Sequence, residues 1–160
     1  MSDVDQVIQL VTFELGDELY GIDIMEVNEI VRLQEVRSIP SAPPYVDGII
    51  NLRRAIIPII NLHTRFHIQR AATDESATAL SGFLILNVQG MQLGVFIDRI
   101  SRVVTVDTSG IQDPPQMLSG IGREYIRGVT SENAGYLIIL DTDKLFDPKE
   151  LAQLGLLGRQ

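Results

Sequence analysis

The chain has 160 residues, a formal net charge of −8 and no cysteine, and 45% of its residues are hydrophobic. The charge argues against nucleic acid and anionic membrane surfaces as partners, because both attract basic faces. The missing cysteines exclude disulfides, thiolate metal sites and a cysteine nucleophile. Because residues 1–8 show no signal-peptide pattern and no apolar run approaches the length of a membrane span, we expect a cytoplasmic protein.

In chain order, alternating apolar residues and turn signals predict a mainly β chain. The predicted strands are 8–15, 19–24, 29–39, 48–52, 55–62, 83–88, 92–97, 102–106, 125–129 and 135–141. Single helical turns are predicted near 24–28 and over 43–47. Pro58 falls inside a strand, so that strand must have an edge or a bulge there, because proline donates no backbone hydrogen bond. The small, polar residues 69–81 predict a connector.

The C-terminal segment predicts a helix over residues 147–157, after an irregular loop at 110–122. Asp147 is a good N-cap, Pro148 suits the first helical position and Glu150 completes a capping box. The leucines that follow form an apolar stripe, so we expect this helix to pack against the first half of the chain.

An internal repeat with an offset of 80 residues is the most informative pattern. The stretch from Tyr45 to Phe66 matches the stretch from Tyr125 to Phe146 without a gap, and residues 19–24 are echoed by 92–97. Between these blocks, three apolar residues recur in the same spacing: Val27, Ile30 and Val31 against Ile100, Val103 and Val104. The chain therefore uses one β-rich unit twice.

The repeat predicts how the chain is divided. We expect one domain over residues 1–160, made of subdomain 1 (8–68 plus the helix 147–157), a connector (69–81) and subdomain 2 (82–146). A duplicated small barrel is typical of a platform for partner proteins, and neither copy carries a reaction centre.

Motifs for catalysis or metal binding are weak. His63 and His67 lie four residues apart, but no carboxylates nearby in sequence complete a metal site, so we interpret them as polar side chains at a barrel edge. Asp23, Asp98 and Asp141 lie in or beside apolar strands and are interpreted as exposed strand positions or local caps. A small hydrolase using Asp98 or Asp141 with His63 is a minor alternative, because no set of nucleophile, base and orienting group emerges. We predict no catalytic residue, no metal and no cofactor.

The basic pair Arg53-Arg54 stands out on an acidic chain. It is interpreted equally well as a solvated hairpin tip or as a contact for acidic groups on a partner, which arginine binds in two-pronged fashion. Val27, Ile30 and Val104 are candidates for exposed apolar contacts, although periodic apolar residues are more often buried.

Several segments resemble the CheW-like coupling proteins of bacterial chemotaxis, and together they cover nearly the whole chain. They are residues 13–24, 27–30, 48–53, 57–62, 94–98 and 137–145. The resemblance implies two five-stranded β-barrels similar to Src-homology-3 (SH3) barrels, with which the internal repeat agrees. It also implies a non-enzymatic adaptor that couples the cytoplasmic hairpin tips of chemoreceptors (methyl-accepting chemotaxis proteins) to the histidine kinase CheA, through the kinase's CheW-like regulatory domain. The alternative is an adaptor of a non-flagellar system, in twitching motility or development.

The resemblance places the receptor-binding groove at Val27, Glu29 and Ile30, with Arg53 beside it. A receptor tip is a helical hairpin, so we hypothesise that Val27 and Ile30 supply apolar contacts while Glu29 and Arg53 set the orientation of the bound helix.

Kinase-binding residues are not assigned by the resemblance, and the barrel ends around Arg54 and Gly48 are the candidate region. The family usually has glycine where this chain has Arg54. Retaining a glycine-type backbone there would cost about 1 kcal/mol or more, so we expect the tip to be reshaped and its partner surface to differ.

Overall fold

The structure, a computed structural model, describes residues 6–68, 81–114, 123–132 and 135–157. Its strands are β1 (Val7–Leu15), β2 (Glu18–Asp23), β3 (Val27–Arg32), β4 (Val46–Leu52), β5 (Ala55–Ile60), β6 (Gly82–Val88), β7 (Met91–Ile97), β8 (Arg99–Asp107), β9 (Ile126–Glu132) and β10 (Gly135–Leu140). The α-helices are α1 (Leu62–Phe66) and α2 (Pro148–Leu157), and short 3-10 turns occur at Ile24–Glu26, Thr108–Gly110, Arg123–Tyr125 and Thr142–Lys144. The mainly β class is confirmed, whereas most of the predicted connector and of the loop at 110–122 lies outside the described residues.

The strands form two five-stranded sheets. Barrel 1 has the order β8-β1-β2-β10-β9, and barrel 2 has the order β3-β6-β7-β5-β4. An isolated bridge between Arg37 and Ile49 joins the chain after β3 to β4, and a bridge between Gln112 and Val129 joins the chain after β8 to β9. Each bridge links the two edges of its sheet, so both sheets close into barrels and their edges are protected. No helix in the described ranges is long and apolar enough to cross a membrane.

Each barrel takes strands from both halves of the chain. Barrel 1 combines β1 and β2 with β8, β9 and β10, whereas barrel 2 combines β3, β4 and β5 with β6 and β7. The predicted boundaries, residues 8–68 and 82–146, therefore do not separate the two barrels. The physical reason is that each half begins with a hairpin in one barrel and then crosses to the other, where parallel pairing of β2 with β10 and of β5 with β7 joins the halves.

The internal repeat is confirmed in the topology and the register. Exchanging β1–β5 with β6–β10 converts one strand order into the other. Ile59 pairs with Gly94 across β5 and β7, and the equivalent residues Ile139 and Gly21 pair across β10 and β2. The two copies are therefore related by an approximate twofold operation.

Two equivalent glycines are required by the closing bridges. A Cβ atom on Gly48 would lie 2.2 Å from the carbonyl oxygen of Arg37, and one on Gly128 would lie 2.3 Å from the side chain of Ile111. Real Cβ atoms do not approach so closely, so both copies need glycine where the bridging segment crosses the strand.

Two predicted elements differ from those observed. β3 ends at Arg32 instead of continuing to residue 39, because the chain leaves the sheet there and pairs again at the isolated bridge of Arg37. Residues 43–46 form a tight turn instead of the helical turn predicted over 43–47, with the amide of Val46 donating to the carbonyl oxygen of Pro43 at 2.9 Å, and β4 begins at Val46.

The prediction that Pro58 lies on an edge strand or at a bulge is wrong, although the side of Pro58 that faces β7 is unpaired. β5 is an interior strand, paired with β4 and β7, and the irregularity in its pairing with β4 lies between Val46 and Gly48. The parallel ladder to β7 begins at Ile59. The ladder therefore does not extend to Pro58, where a backbone N–H is missing.

Reciprocal aromatic contacts join the two copies of the repeat. Tyr45 packs against Phe146, and Phe66 packs against Tyr125, with ring centroids 5.8 and 5.2 Å apart. The guanidinium of Arg65 lies over the rings of Tyr45, Tyr125 and Phe146 at 4.7, 5.3 and 5.2 Å. Cation–π contacts contribute about 0.5–2 kcal/mol each, so Arg65 is a central element of this junction.

Helix α2 and its capping box are confirmed. The amide of Glu150 donates to Asp147 Oδ1 at 2.8 Å, and the amide of Asp147 donates to Glu150 Oε1 at 2.9 Å. The Glu150 carboxylate also accepts two hydrogen bonds from Arg65, at 2.6 and 2.7 Å. One carboxylate thus both caps α2 and ties it to α1, while Leu151 and Leu154 are buried in the main core.

Candidate functional site

Strand β3 carries three of the predicted receptor-binding residues, but they do not share one face. Val27 and Glu29 are half-buried, and Val27 packs against the main core. Ile30 points outward, with 41% of its surface exposed. The pairing of β3 with β6 is irregular between Val27 and Glu29, but burial still alternates regularly along the strand, which leaves Ile30 on the opposite face from both. Ile30 is therefore the residue of this set that offers apolar surface to a partner.

The structure brings Arg53 and Glu29 together in a two-pronged ion pair. The terminal nitrogens of Arg53 donate to the two carboxylate oxygens at 2.6 and 2.8 Å. These charge-assisted hydrogen bonds raise the pKa of Arg53 above its usual range. The Glu29 side chain is 26% exposed and that of Arg53 is 73% exposed, so the pair is accessible from solvent. It connects β3 to the turn between β4 and β5.

The turn that carries Arg53 keeps a glycine-type backbone. Leu52 pairs with Ala55, so the turn has two central residues, Arg53 and Arg54. Their φ angles are 50° and 74°, both in the left-handed region. Two positive φ angles match the right-handed twist of the flanking strands, which favours this backbone despite its cost to residues with a Cβ atom. The tip is strained instead of reshaped.

Exposed apolar side chains are concentrated around β3. In the described part of the chain the large ones are Val7, Met25, Ile30, Leu33, Val103, Tyr136 and Leu156. Met25, Ile30 and Leu33 fall within nine residues of sequence and flank or belong to β3. Exposed apolar residues close together in sequence, on and around a strand that also carries an accessible ion pair, are typical of a protein-contact surface.

The second copy of the repeat carries a counterpart with reversed charges, which sequence reasoning missed. Arg102 on β8 is equivalent to Glu29, and its Nη2 atom donates to Oε2 of Glu132, at the end of β9, at 2.6 Å. Val103 is equivalent to Ile30 and is likewise exposed. The spacing shared by the two copies would have predicted these positions, had it been applied to charged as well as apolar residues.

The two candidate residues for kinase binding are in different environments. Gly48 is buried beneath the carbonyl group of Arg37 and offers no side chain to a partner. Arg54 is exposed, and its side chain makes no hydrogen bond or ion pair with the described residues. The candidate region is therefore reduced to the end of the hairpin that carries Arg54.

His63 does not lie at a solvated barrel edge, which corrects that prediction. Its side chain is 4% exposed, and Nε2 lies 2.7 Å from Oδ2 of Asp98, which also accepts from the amide of Gly16 at 2.7 Å. Asp98 is thus a partly buried link between elements and not an exposed position. His63 lies in α1 and packs against β7, where its ring contacts that of Phe96 with centroids 5.9 Å apart.

The hydrolase alternative gains a base and an orienting carboxylate from this contact, but no nucleophile. Nδ1 of His63 is buried and has no hydrogen-bond partner among the described residues. The hydroxyl of Ser81 donates to the backbone carbonyl of Asp98 at 2.8 Å instead of to the imidazole. A nucleophile must lie within hydrogen-bond reach of its base, so this arrangement does not match that requirement.

The remaining polar candidates have local roles. Asp23 and Asp141 accept from the amides of Met25 and Asp143 at the starts of 3-10 turns, which confirms their interpretation as caps. His67 ends α1 with a φ of 59° and is exposed. Within the described ranges, no group of three or more histidine or acidic side chains is placed to hold a metal ion.

Comparisons with known proteins point to one family. Residues 9–150 match the family model of the CheW-like domain. The chain is 57% identical over 150 residues to the chemotaxis protein CheW of Treponema pallidum, covering 94% of this chain and 88% of the relative. It is 32% identical over 144 residues to the chemotaxis protein CheW of Klebsiella aerogenes, covering 90% and 84%. The crystal structure of the scaffolding protein TtCheW from Thermoanaerobacter tengcongensis matches with a TM-score of 0.80 at 30% identity, covering 94% of each chain.

Proposed function

The chain belongs to the family of CheW-like domains and is a chemotaxis scaffold protein, and we propose that it is a non-enzymatic, cytoplasmic adaptor. In this proposal it couples the cytoplasmic hairpin tips of methyl-accepting chemotaxis receptors to the histidine kinase CheA. The relatives described above are chemotaxis and scaffolding proteins, so an adaptor of twitching motility or development is not favoured.

The observation that carries the receptor contact is the exposed β3 surface with its ion pair. Ile30 offers an apolar contact, and Glu29, its neighbour in sequence, forms a two-pronged ion pair with Arg53. A helix docks on such a surface through an apolar stripe, while charges at the rim set its register. Val27 packs on the core beneath and supports β3, so its contribution to binding is indirect.

The receptor contact is tested by titrating a receptor cytoplasmic fragment into wild type and three variants, Ile30→Asp, Glu29→Arg and Arg53→Glu. Each is expected to raise the Kd for the receptor fragment by about tenfold, which corresponds to roughly 1.4 kcal/mol of binding free energy. Lys149→Glu is the matched control, because it changes the net charge as Arg53→Glu does but lies exposed on α2. Unchanged receptor affinity of all three variants would refute the receptor contact at Ile30 and the Glu29–Arg53 pair.

A double variant, Glu29→Arg combined with Arg53→Glu, tests how the ion pair acts in receptor binding. This double exchange restores an ion pair within the protein but reverses the charges that a partner meets. Receptor affinity is expected to stay low, since charges at a rim act through complementarity with the partner. Recovery of wild-type affinity would mean that the pair acts through the local structure of the turn and not through contact.

The kinase contact is proposed at the barrel end that carries Arg54. A single contact of this kind is modest, and an array that engages receptor and kinase together strengthens both through effective concentration. The test is a pull-down with the CheA regulatory domain in the absence of receptor. Failure of wild type to bind at tens of micromolar would refute direct kinase coupling.

A further inference from the structure

The two places where the chain crosses between the barrels are each tied to the other copy of the repeat. The first crossing is the 3-10 turn Ile24–Glu26 between β2 and β3, and the second leads from β7 into β8. At the second crossing, Asp98 contacts His63 of α1, which follows β5, at 2.7 Å. At the first crossing, the hydroxyl of Thr142, in the turn that follows β10, donates to the carboxylate of Glu26. We call this hydrogen bond the first-crossing tie.

The first-crossing tie joins a buried hydroxyl to a carboxylate in acidic surroundings. Thr142 is 1% exposed, and Glu26 is half-buried. Three aspartates act electrostatically on the Glu26 carboxylate, namely Asp143, Asp23 and Asp141. Because like charges repel, these aspartates disfavour the ionised form of Glu26.

The cations of the surrounding elements form ion pairs with two of these aspartates. Arg127 on β9 lies 3.8 Å from Asp23, and Lys144 lies 3.8 Å from Asp141. These distances are long for ion pairs, and both cations are largely exposed, so they offset the repulsion at Glu26 only in part.

The strands that pack against the turn, β1 and β6, add apolar surface. The sequence of β6 has no titratable residue. That of β1 has one, Glu14, which lies at the far end of the strand from Leu10, the residue that pairs with Asp23 at this crossing. Val27, the first residue of β3, pairs with Leu86 of β6. The carboxylate of the tie is therefore enclosed by acidic and apolar groups.

These surroundings favour the protonated form of Glu26. Burial is the largest cause that raises the pKa of this carboxyl above 4.5, and the three aspartates raise it further, whereas the hydrogen bond from Thr142 lowers it. Any partner that removes more water from Glu26 would raise the pKa again, because desolvation disfavours the charged form. Binding of such a partner would then take up a proton.

The first-crossing tie lies next to the surface proposed for receptor binding. Met25 precedes Glu26 in the same turn and is 85% exposed, while Ile30 follows on β3 and is 41% exposed. The pairing of β3 with β6 is irregular between Val27 and Glu29, so Glu26 anchors β3 just before its ladder is interrupted. A helix docked on Met25 displaces water from the turn that contains Glu26.

We propose that Glu26 links receptor binding to a proton: the receptor tip binds more tightly when Glu26 is protonated, and docking takes up one proton from solvent at this carboxyl. This inference rests on the proposed receptor contact and adds its regulation by pH. The coupling is reciprocal, so the factor by which the proton strengthens receptor binding equals the factor by which the receptor strengthens proton binding.

The test is a titration of a receptor cytoplasmic fragment into wild type and Glu26→Gln at pH 7.5 and pH 5. Glutamine keeps an oxygen that accepts from Thr142 but carries no charge, so it stands for the protonated acid. At pH 7.5 the variant is expected to bind about fivefold more tightly than wild type, at the lower end of typical couplings, and at pH 5 the two should differ by less than about twofold. Comparing both proteins at the same pH cancels the titration of the receptor.

Glu18→Gln is the matched control. It also removes one carboxylate, but from an exposed position at the start of β2. Its receptor affinity is expected to equal that of wild type at both pH values.

Proton uptake is measured directly by isothermal titration calorimetry in buffers of different ionisation enthalpy. At pH 6, wild type is expected to take up more protons on receptor binding than Glu26→Gln does. Thr142→Val removes a hydrogen bond that favours the ionised form, so the pH at which receptor affinity changes should move upward in this variant. A purely structural role of Thr142 would instead change receptor affinity by the same factor at every pH.

Three outcomes overturn the proposal in different ways. Receptor affinity of Glu26→Gln within about twofold of wild type at both pH values would refute the coupling while leaving receptor binding intact. An equal gain at both pH values, with the same proton uptake as wild type, would mean that Glu26 acts through local structure and not through a proton. Wild type that binds the receptor fragment at neither pH would refute the proposed function, and the proton link with it.

Discussion

Replacing Arg54 with glycine is expected to stabilise the protein, although it removes an entire side chain. Arg54 lies at φ 74° in a two-residue turn between Leu52 and Ala55. A residue with a Cβ atom in the left-handed region costs about 1–2 kcal/mol, and glycine avoids that cost. The greater freedom of glycine in the unfolded chain offsets about 0.4–1 kcal/mol of this, so the free energy of unfolding should rise by about 0.5–1 kcal/mol.

The β6–β7 turn provides a matched change of opposite sign. It also has two residues, between Val88 and Met91, and its φ angles are 52° at Gln89 and 84° at Gly90. A Cβ atom on Gly90 would meet no atom of the described residues within 4 Å, so Gly90→Ala changes the backbone preference without a clash there. It is expected to lower the free energy of unfolding by about 0.5–1 kcal/mol. The double variant should return close to wild type, because each substitution changes the backbone preference of its own turn.

The assay is thermal unfolding followed by circular dichroism. In a chain of this size, 1 kcal/mol shifts Tm by about 2–4 °C, so Arg54→Gly should raise Tm by about 1–4 °C and Gly90→Ala should lower it by a similar amount. A fall in Tm for Arg54→Gly would mean that the side chain has stabilising contacts that outweigh the backbone. No change for Gly90→Ala would mean that the left-handed turn conformation has little cost here.

Three further predictions concern packing, pH and the junction. Gly48→Ala should lower the free energy of unfolding in urea by about 2 kcal/mol or more, because a Cβ atom would lie 2.2 Å from a backbone oxygen, whereas Gly135→Ala should stay within about 0.5 kcal/mol. Burial and, after it, nearby acidic groups raise the pKa of Glu26 above its ordinary 4.5. The folded protein therefore keeps this proton to a higher pH than the unfolded chain does, and the free energy of unfolding falls as the pH rises from the unfolded-state pKa to the folded-state pKa. Glu26→Gln should therefore raise Tm relative to wild type at pH 7 but not at pH 4. Arg65→Met should lower the free energy of unfolding by about 1–3 kcal/mol in urea, and more than Arg102→Met, because Arg65 is largely buried and Arg102 is exposed.

Most of the fold could be predicted because the repeat is strong where packing and turns constrain it. The capping box at Asp147 and the second hairpin of each copy are local patterns, so short stretches of sequence suffice to predict them. The exchange of strands between barrels could not be predicted this way. A repeat shows which segments are equivalent, but both a self-contained and an exchanged arrangement bury the same apolar faces.

The candidate site was less predictable, because its properties depend on which distant residues meet. The ion pair of Glu29 with Arg53 joins residues 24 apart in sequence, and the contact of His63 with Asp98 joins residues 35 apart. Neither has a spacing that indicates contact in advance. The burial of His63 was also unexpected, because it depends on a short helix that places the imidazole beneath β7.

Features specific to one copy arise where the two copies of the repeat differ. The shared backbone, with its paired glycines and reciprocal aromatic contacts, closes both barrels in the same way. Pro58 stands where the other copy has Ile138, and a groove lined by Arg54, Met91 and Leu154 lies on barrel 2, where the β5–β7 ladder does not extend. Substituting Pro58 with isoleucine would supply the missing N–H and allow the β5–β7 ladder to extend, which should narrow the groove. If kinase affinity then fell while receptor affinity stayed constant, the asymmetry itself would be the origin of the second contact; an unchanged kinase affinity would separate this proline from binding.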